Sequence, residues 1–419
     1  MPKPPESDVQ HATRFRRYVP APDDPRVAGL HEHTARTYAD ARLSIPVLAE
    51  VVRQWRESAE EPYVGITTDG SVRHGVYELG AVPDAERPPV EAMLRAVEEI
   101  RRHTTQEQWQ WLTYPLEAPQ WRTWSNPEVL LYDNGLRLEE VPDRTADALL
   151  GLVRATLSED GYTLVRHLMR LNGFLGELTG MPGVMNTGSY QFAVFGQPSL
   201  DQPWGWHLYG HHVCVNVLVA GDRMVIGPVF LGAEPDSTDA GPDAGVRPLG
   251  VRERVGLSFV NSLTPRQLSV ARSYPEVRDP RMPEGRVHPV EERFLAGAFQ
   301  DNRVIPMEGI RATELDREQQ QLLLALIEQY SDLLPDGPRA ARMREVRAHL
   351  PETYLTWIGS IDDEQPFYYR VQSPVVLVEF DHHAGMFLTN PVPARFHIHT
   401  ILRLPNGNDY GRLLWKART

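Results

Sequence analysis

Two stretches of this chain repeat one another at a fixed offset. Gly196 and Gly359 stand 163 positions apart (359 − 196), each at the end of a strand-like run. The same offset relates Asp201-Gln202-Pro203-Trp204 to Glu364-Gln365-Pro366-Phe367. Carried on without a gap, it sets Val213–Val217 against Val376–Phe380 and places Asn216 opposite Glu379. Upstream, the sequence from Gly135 to Val141 resembles that from Gly309 to Leu315, each just before a helical pattern. A repeated order of helix, strand, Gln-Pro, aromatic and strand points to a divergent duplication. The expected fold is α+β, with two similar helix-plus-sheet halves, mixed or antiparallel sheets, and a site at their junction. The expected boundaries are a mobile arm over 1–25, a first half over 26–250 and a second half over 251–419.

The apolar periodicity supports this. Ala146, Leu149, Leu150, Val153 and Leu157 form one helical stripe within Thr145–Leu157, and Leu164–Leu178 continues the pattern. A second stripe, Leu322, Leu323, Leu326, Ile327 and Tyr330, lies in Glu318–Leu334, and Arg339–Leu350 follows it. Further helices are expected over Val47–Trp55 and Val90–Ile100. Strands are expected at Tyr63–Gly70, Ser189–Phe195, Val213–Val219, Met224–Phe230, Tyr354–Ile358, Tyr368–Val371, Val375–Phe380 and Phe396–Leu402. Gln108–Tyr132, rich in Trp, Pro and Tyr, reads as irregular or strand rather than helix, and Ala233–Gly250 as loop.

Composition removes several classes of function. A net charge of −13 over 419 residues argues against a partner held through nucleic-acid phosphates. No apolar run reaches membrane-span length, and the polar, proline-rich start lacks the apolar centre of a signal peptide. The expectation is a soluble cytoplasmic protein without nucleic-acid or membrane partners, of undetermined oligomeric state. The single cysteine, Cys214, can form neither an intrachain disulfide nor a thiolate cage, and suits a small core position. There is no glycine-rich phosphate loop, no Gly-x-Ser-x-Gly elbow and no His-Glu-x-x-His helix.

What remains is histidine. His207, His211 and His212 fall within six residues, leading into Val213–Val219. Strand alternation would turn His207, Tyr209 and His211 to one face and His212, Cys214 and Asn216 to the other. In the second half, His397 and His399 stand at i and i+2, on one face of a strand, where they can chelate one ion. Glu379 and Asp381 close the preceding strand ahead of His382 and His383, and the loop from Ala384 to Arg395 could fold over a site. Each half alone gives an incomplete ligand set. Pairing the halves would assemble His211, His212, Glu379, His397 and His399, not necessarily all five, around a divalent transition metal; iron is favoured, and zinc, manganese and copper also fit.

These residues also carry a resemblance. Leu157–Tyr162, Phe192–Gly196, Pro203–Trp206, Gly210-His211-His212 with Asn216, Pro228–Pro235, Tyr368–Gln372, Glu379–Asp381, His397–Thr400 and Arg403 together resemble the uncharacterised bacterial and fungal family catalogued as domain of unknown function 3500. The likeness spans roughly residues 120 to 415. The chain departs from the family pattern at His207, at His382 and Phe396, where Asn is usual, and at Leu404, where Asp is usual. The resemblance implies a shared site without naming a reaction.

The expected function is a metal-dependent enzyme acting on a small organic substrate, with a lean to non-haem iron oxidative chemistry, because a His/carboxylate set with open positions suits O2 activation. A zinc-dependent hydrolase is the alternative, with Glu379 or Asp381 as base. A non-catalytic metal or small-molecule binding protein is the third reading. Glu379, Asp381 and His207 are the catalytic candidates. Trp204, Trp206, Tyr209, Asn216, Arg370 and Arg403 are candidates for contact with substrate, though Trp-rich stretches of this kind more often belong to the core than line a pocket.

Overall fold

The run Val213–Val219 is apolar on both faces apart from Asn216, with its four valines on one of them, so it needs strands on both sides and cover above and below. In the computed structural model, which describes residues 14–417, it is β5 (Val213–Ala220), fully buried inside a twelve-stranded sheet. The other strands are β1 (Thr113–Tyr114), β2 (Leu136–Arg137), β3 (Tyr190–Gly196), β4 (Trp204–Gly210), β6 (Arg223–Ala233), β7 (Arg272–Tyr274), β8 (Ile310–Arg311), β9 (Tyr354–Gly359), β10 (Phe367–Gln372), β11 (Leu377–His382) and β12 (Ile398–Arg403).

The sheet runs β1-β3-β4-β5-β6-β12-β11-β10-β9-β7, with β2 beside β3 and β8 beside β9. The β1–β3 and β7–β9 pairs are parallel and the rest antiparallel, so the sheet is mixed and the fold is α+β. The pairing order reads the same inward from either edge, and its centre is the β6–β12 pair. Strands from both parts of the chain therefore share one sheet.

Alternation gives the sheet two different faces. One packs Phe192, Trp206, Val215, Leu231, Val378 and Phe380 into a large core with the helices Asp143–Thr156, Glu159–Thr179, Gly250–Asn261 and Arg317–Glu328. The other carries Phe195, Cys214, Phe230, Tyr368 and Ile401 under a cover made largely of loop residues, including Trp121, Trp124, Phe294, Phe299 and Tyr410. The sheet's buried charges and its histidines other than His382 lie on this loop-covered side.

Several local expectations are corrected. Tyr63–Gly70 is not a strand; it makes one bridge, Thr67 with Val304. The Gln108–Tyr132 region opens with a helix, Gln106–Leu112, whose N-terminus is closed by a Thr105/Gln108 capping box. Of the expected arm, residues 1–13 lie outside the described residues, while Phe15 is fully buried against Phe174 and the Leu388/Phe396 cluster. Among the described residues, no helix is long and apolar enough to cross a membrane.

Candidate metal centre

The centre is built where β4, β5, β6, β11 and β12 pass one another. Gly210 pairs with Val213, so His211 and His212 form a two-residue hairpin turn and the strand alternation expected across them does not hold. His207 instead pairs with Asn216, and Tyr209 with Cys214, which puts each pair on one face. His212 takes a positive φ of 65°, costly for a residue with a Cβ. Its carbonyl accepts from Gly232 N–H at 2.8 Å. Gly232 pairs with His399, which pairs on its other side with Asp381, so one row across the sheet holds Asp381, His399, Gly232 and the His212 turn.

Three imidazoles meet there. His399 Nε2 lies 3.0 Å from His397 Nε2 and 3.2 Å from His212 Nε2. These three buried residues are the group among the described residues whose ligand atoms lie close enough to hold one ion. His397 Nδ1 donates to the Ala384 carbonyl at 2.8 Å, so in the neutral ring Nε2 carries a bare lone pair. A proton on His399 Nε2 can serve one neighbour but not both. A metal ion satisfies all three nitrogens together, and the set fits one. Gly232 makes room for it: a Cβ there would stand 2.7 Å from His212 Cδ2 and 2.9 Å from His399 Cδ2. Burial, reinforced by the neighbouring histidines, pushes His212 and His399 well below the ordinary imidazole range. They are neutral at pH 7, as ligation requires.

Other groups surround the three. His383 is fully packed beside His399, ring centroids 3.9 Å apart, and its Nε2 lies 3.4 Å from Asp381 Oδ2 without a hydrogen-bond partner. Asp381 is held by a buried ion pair with Arg293 at 2.7 Å and by the Arg293 N–H. Glu234 accepts from the N–H groups of Met386 and Leu388, both at 3.1 Å, and so fixes the segment after β11 beside the site. Phe387 from that segment meets the His211 ring edge-on.

The remaining candidates lie elsewhere. His211 stacks on His212 at 3.8 Å and donates from Nδ1 to Asn172 Oδ1 at 2.8 Å; it supports the triad rather than joining it. Burial, with His397 adding, pulls it down to about 3. Glu379 is not one of the three: it accepts from the Leu295 and Ala296 N–H groups and from Tyr368 Oη at 2.6 Å. His207 is buried between Phe195 and Tyr209 with neither ring nitrogen paired. His382 points to the opposite side, with Nε2 3.0 Å from Glu253. Trp204 and Trp206 are core residues; Trp206 donates to Thr156 and stacks on Phe192. Tyr209 donates to the Tyr132 carbonyl and Asn216 to that of Pro228. Arg370 pairs with Glu308 and Arg403 with Asp301. Gly232, Glu234, Arg293 and Asn172 were not singled out in the sequence. His383 could have been placed, because Glu379, Asp381 and His383 alternate along one strand face.

Fold and site together define an α+β protein with a buried three-histidine centre at the middle of a mixed sheet. The family model described as "Protein of unknown function (DUF3500)" matches residues 86–412, and the chain belongs to that family. No curated protein and no solved structure matches it.

Proposed function

We propose that the protein is a metal-dependent enzyme acting on a small organic substrate, with a divalent transition metal held by His212, His397 and His399. The observation that carries this is the convergence of three Nε2 atoms, that of His399 lying 3.0 Å from His397 and 3.2 Å from His212, made sterically feasible by Gly232. Three protein ligands leave a tetrahedral ion an open position, the arrangement of catalytic rather than structural sites. Iron with oxidative chemistry is the first assignment. Its support is the buried aromatic lining, with the Phe230 and Phe294 ring centroids 5.1 Å and 6.3 Å from that of His399, an apolar wall of the kind that limits water at a reacting centre.

A second reading, zinc-dependent hydrolysis, is favoured by the donor set: three imidazoles without a carboxylate among them. Zinc so held would supply an acidified water. In either case His397 is oriented by the Ala384 carbonyl, and His383 packs against the His399 ring with its Nε2 3.4 Å from Asp381 Oδ2. Reconstitution of the metal-free protein with iron or zinc, followed by oxygen-uptake and ester-hydrolysis assays on a panel of small organic molecules, tests the choice. Oxygen-dependent turnover with iron supports the first reading, and oxygen-independent hydrolysis with zinc the second. A metal-loaded protein with its coordination closed by a fourth histidine would favour a non-catalytic binding protein.

A further inference from the structure

A cleft of about 430 Å³ lies where the Arg14–Tyr18 turn meets the segment leading into β12. Four arginines line it: Arg14, Arg17, Arg247 and Arg395. Two are fixed by one buried carboxylate, since Glu253 Oε2 accepts from Arg247 at 2.9 Å and Glu253 Oε1 from Arg395 at 2.7 Å. Arg247 also donates to Asp236 at 2.6 Å. Arg395 keeps a buried Nη1 without a partner. Arg14 and Arg17 have no carboxylate partner among the described residues; the Arg17 guanidinium stacks 4.9 Å over the Tyr18 ring. The carboxylates lining the cleft are Asp236 and Glu364, with Glu253 behind it and Asp362 within reach of the Arg395 charge; Asp236 and Glu253 are engaged by Arg247 and Arg395. The lining itself thus holds four arginines against two carboxylates, in a chain whose net charge is −13.

Guanidinium groups held as planar forks match carboxylate and phosphate oxygens, and clefts of a few hundred Å3 suit small molecules. We propose that this cleft binds a small organic anion, a carboxylic acid or a phosphate ester, through Arg14, Arg17 and Arg395. The site does not depend on the histidine centre for its chemistry. It does adjoin it: Phe396 lines the cleft and His397 is the next residue.

Isothermal titration calorimetry on the full chain tests this, with succinate, inorganic phosphate and neutral succinamide as probes. Saturable binding of succinate or phosphate is expected, none of succinamide, and at least a tenfold loss of affinity in the Arg14→Gln/Arg17→Gln double variant. Binding of succinate alone assigns a carboxylic acid, and of phosphate alone a phosphate ester. Failure of both anions to bind saturably, equal binding of succinamide, or affinity undiminished in the double variant overturns the proposal. Metal analysis of the same samples keeps the two sites apart, because the anion isotherm should persist in protein stripped of metal.

Discussion

His212 and His399 present their Nε2 atoms to one another at 3.2 Å from positions 187 residues apart in the chain. The contact depends on Gly232, the β6 residue that pairs with His399 and donates to the His212 carbonyl. Gly232→Ala would drive its Cβ into both rings. The expected outcome is loss of bound metal with the fold retained, at a cost of about 1–3 kcal/mol for overpacking. Metal content and urea denaturation of the variant check this.

The left-handed conformation of His212 separates backbone strain from ligation. His212→Gly and His212→Ala both remove the imidazole, but only glycine is at ease at φ 65°. Both variants should lose metal. In metal-free protein the glycine variant should be more stable than the alanine variant by about 1 kcal/mol. An alanine variant of equal or greater stability would show that the turn is not strained.

Glu379 should act on the fold, not on the metal. Its carboxylate takes three hydrogen bonds, two from the backbone of the loop at Leu295 and Ala296 and one from Tyr368. In Glu379→Gln the amide NH2 would face one of these donors and leave it unpaired. The expected cost is about 1–3 kcal/mol of stability with metal stoichiometry unchanged. Loss of metal at full stability would return Glu379 to the ligand set.

Glu291 sets a pH dependence. Burial, with the nearby charge of Glu379 adding, raises its carboxyl from 4.5 to about 7, and its Oε2 has no partner. The folded state therefore binds this proton more tightly than the unfolded state. The resulting stability is fully present below pH 4.5 and is lost as pH rises through about 7, a change of about 3 kcal/mol. Glu291→Gln should remove that slope, so its advantage over the wild type grows between pH 5 and pH 8. Chemical denaturation at those two pH values measures it.

The sequence carried the sheet further than it carried the site. Apolar runs such as Val213–Val219 and Val375–Phe380 read as buried strands, and the i, i+2 spacing of His397 and His399 pointed to their meeting, which they do at 3.0 Å although β12 begins only at Ile398 and His397 lies in the bend before it. Alternation failed at His211 and His212 because a hairpin turn, invisible in the periodicity, reverses the chain between them. Glu379 was expected at the metal because a buried carboxylate needs a partner. Its partners are backbone amides of a loop that has no periodic pattern to announce where it packs. The helix Gly250–Asn261 interleaves Arg252, Glu253 and Arg254 with its apolar residues, and the ion pairs that bury Glu253 with Arg247 and Arg395 are visible only in three dimensions.

The measurement that bears most directly on the three-histidine centre is elemental analysis of untagged protein purified without chelators at neutral pH, beside His397→Ala, His399→Ala and the double variant. One equivalent of a divalent transition metal is expected in the wild type and little in either single variant. The double variant should lose little more, because removing one ligand already breaks the chelate. A wild-type protein without metal, or full occupancy in both single variants, would contradict the account.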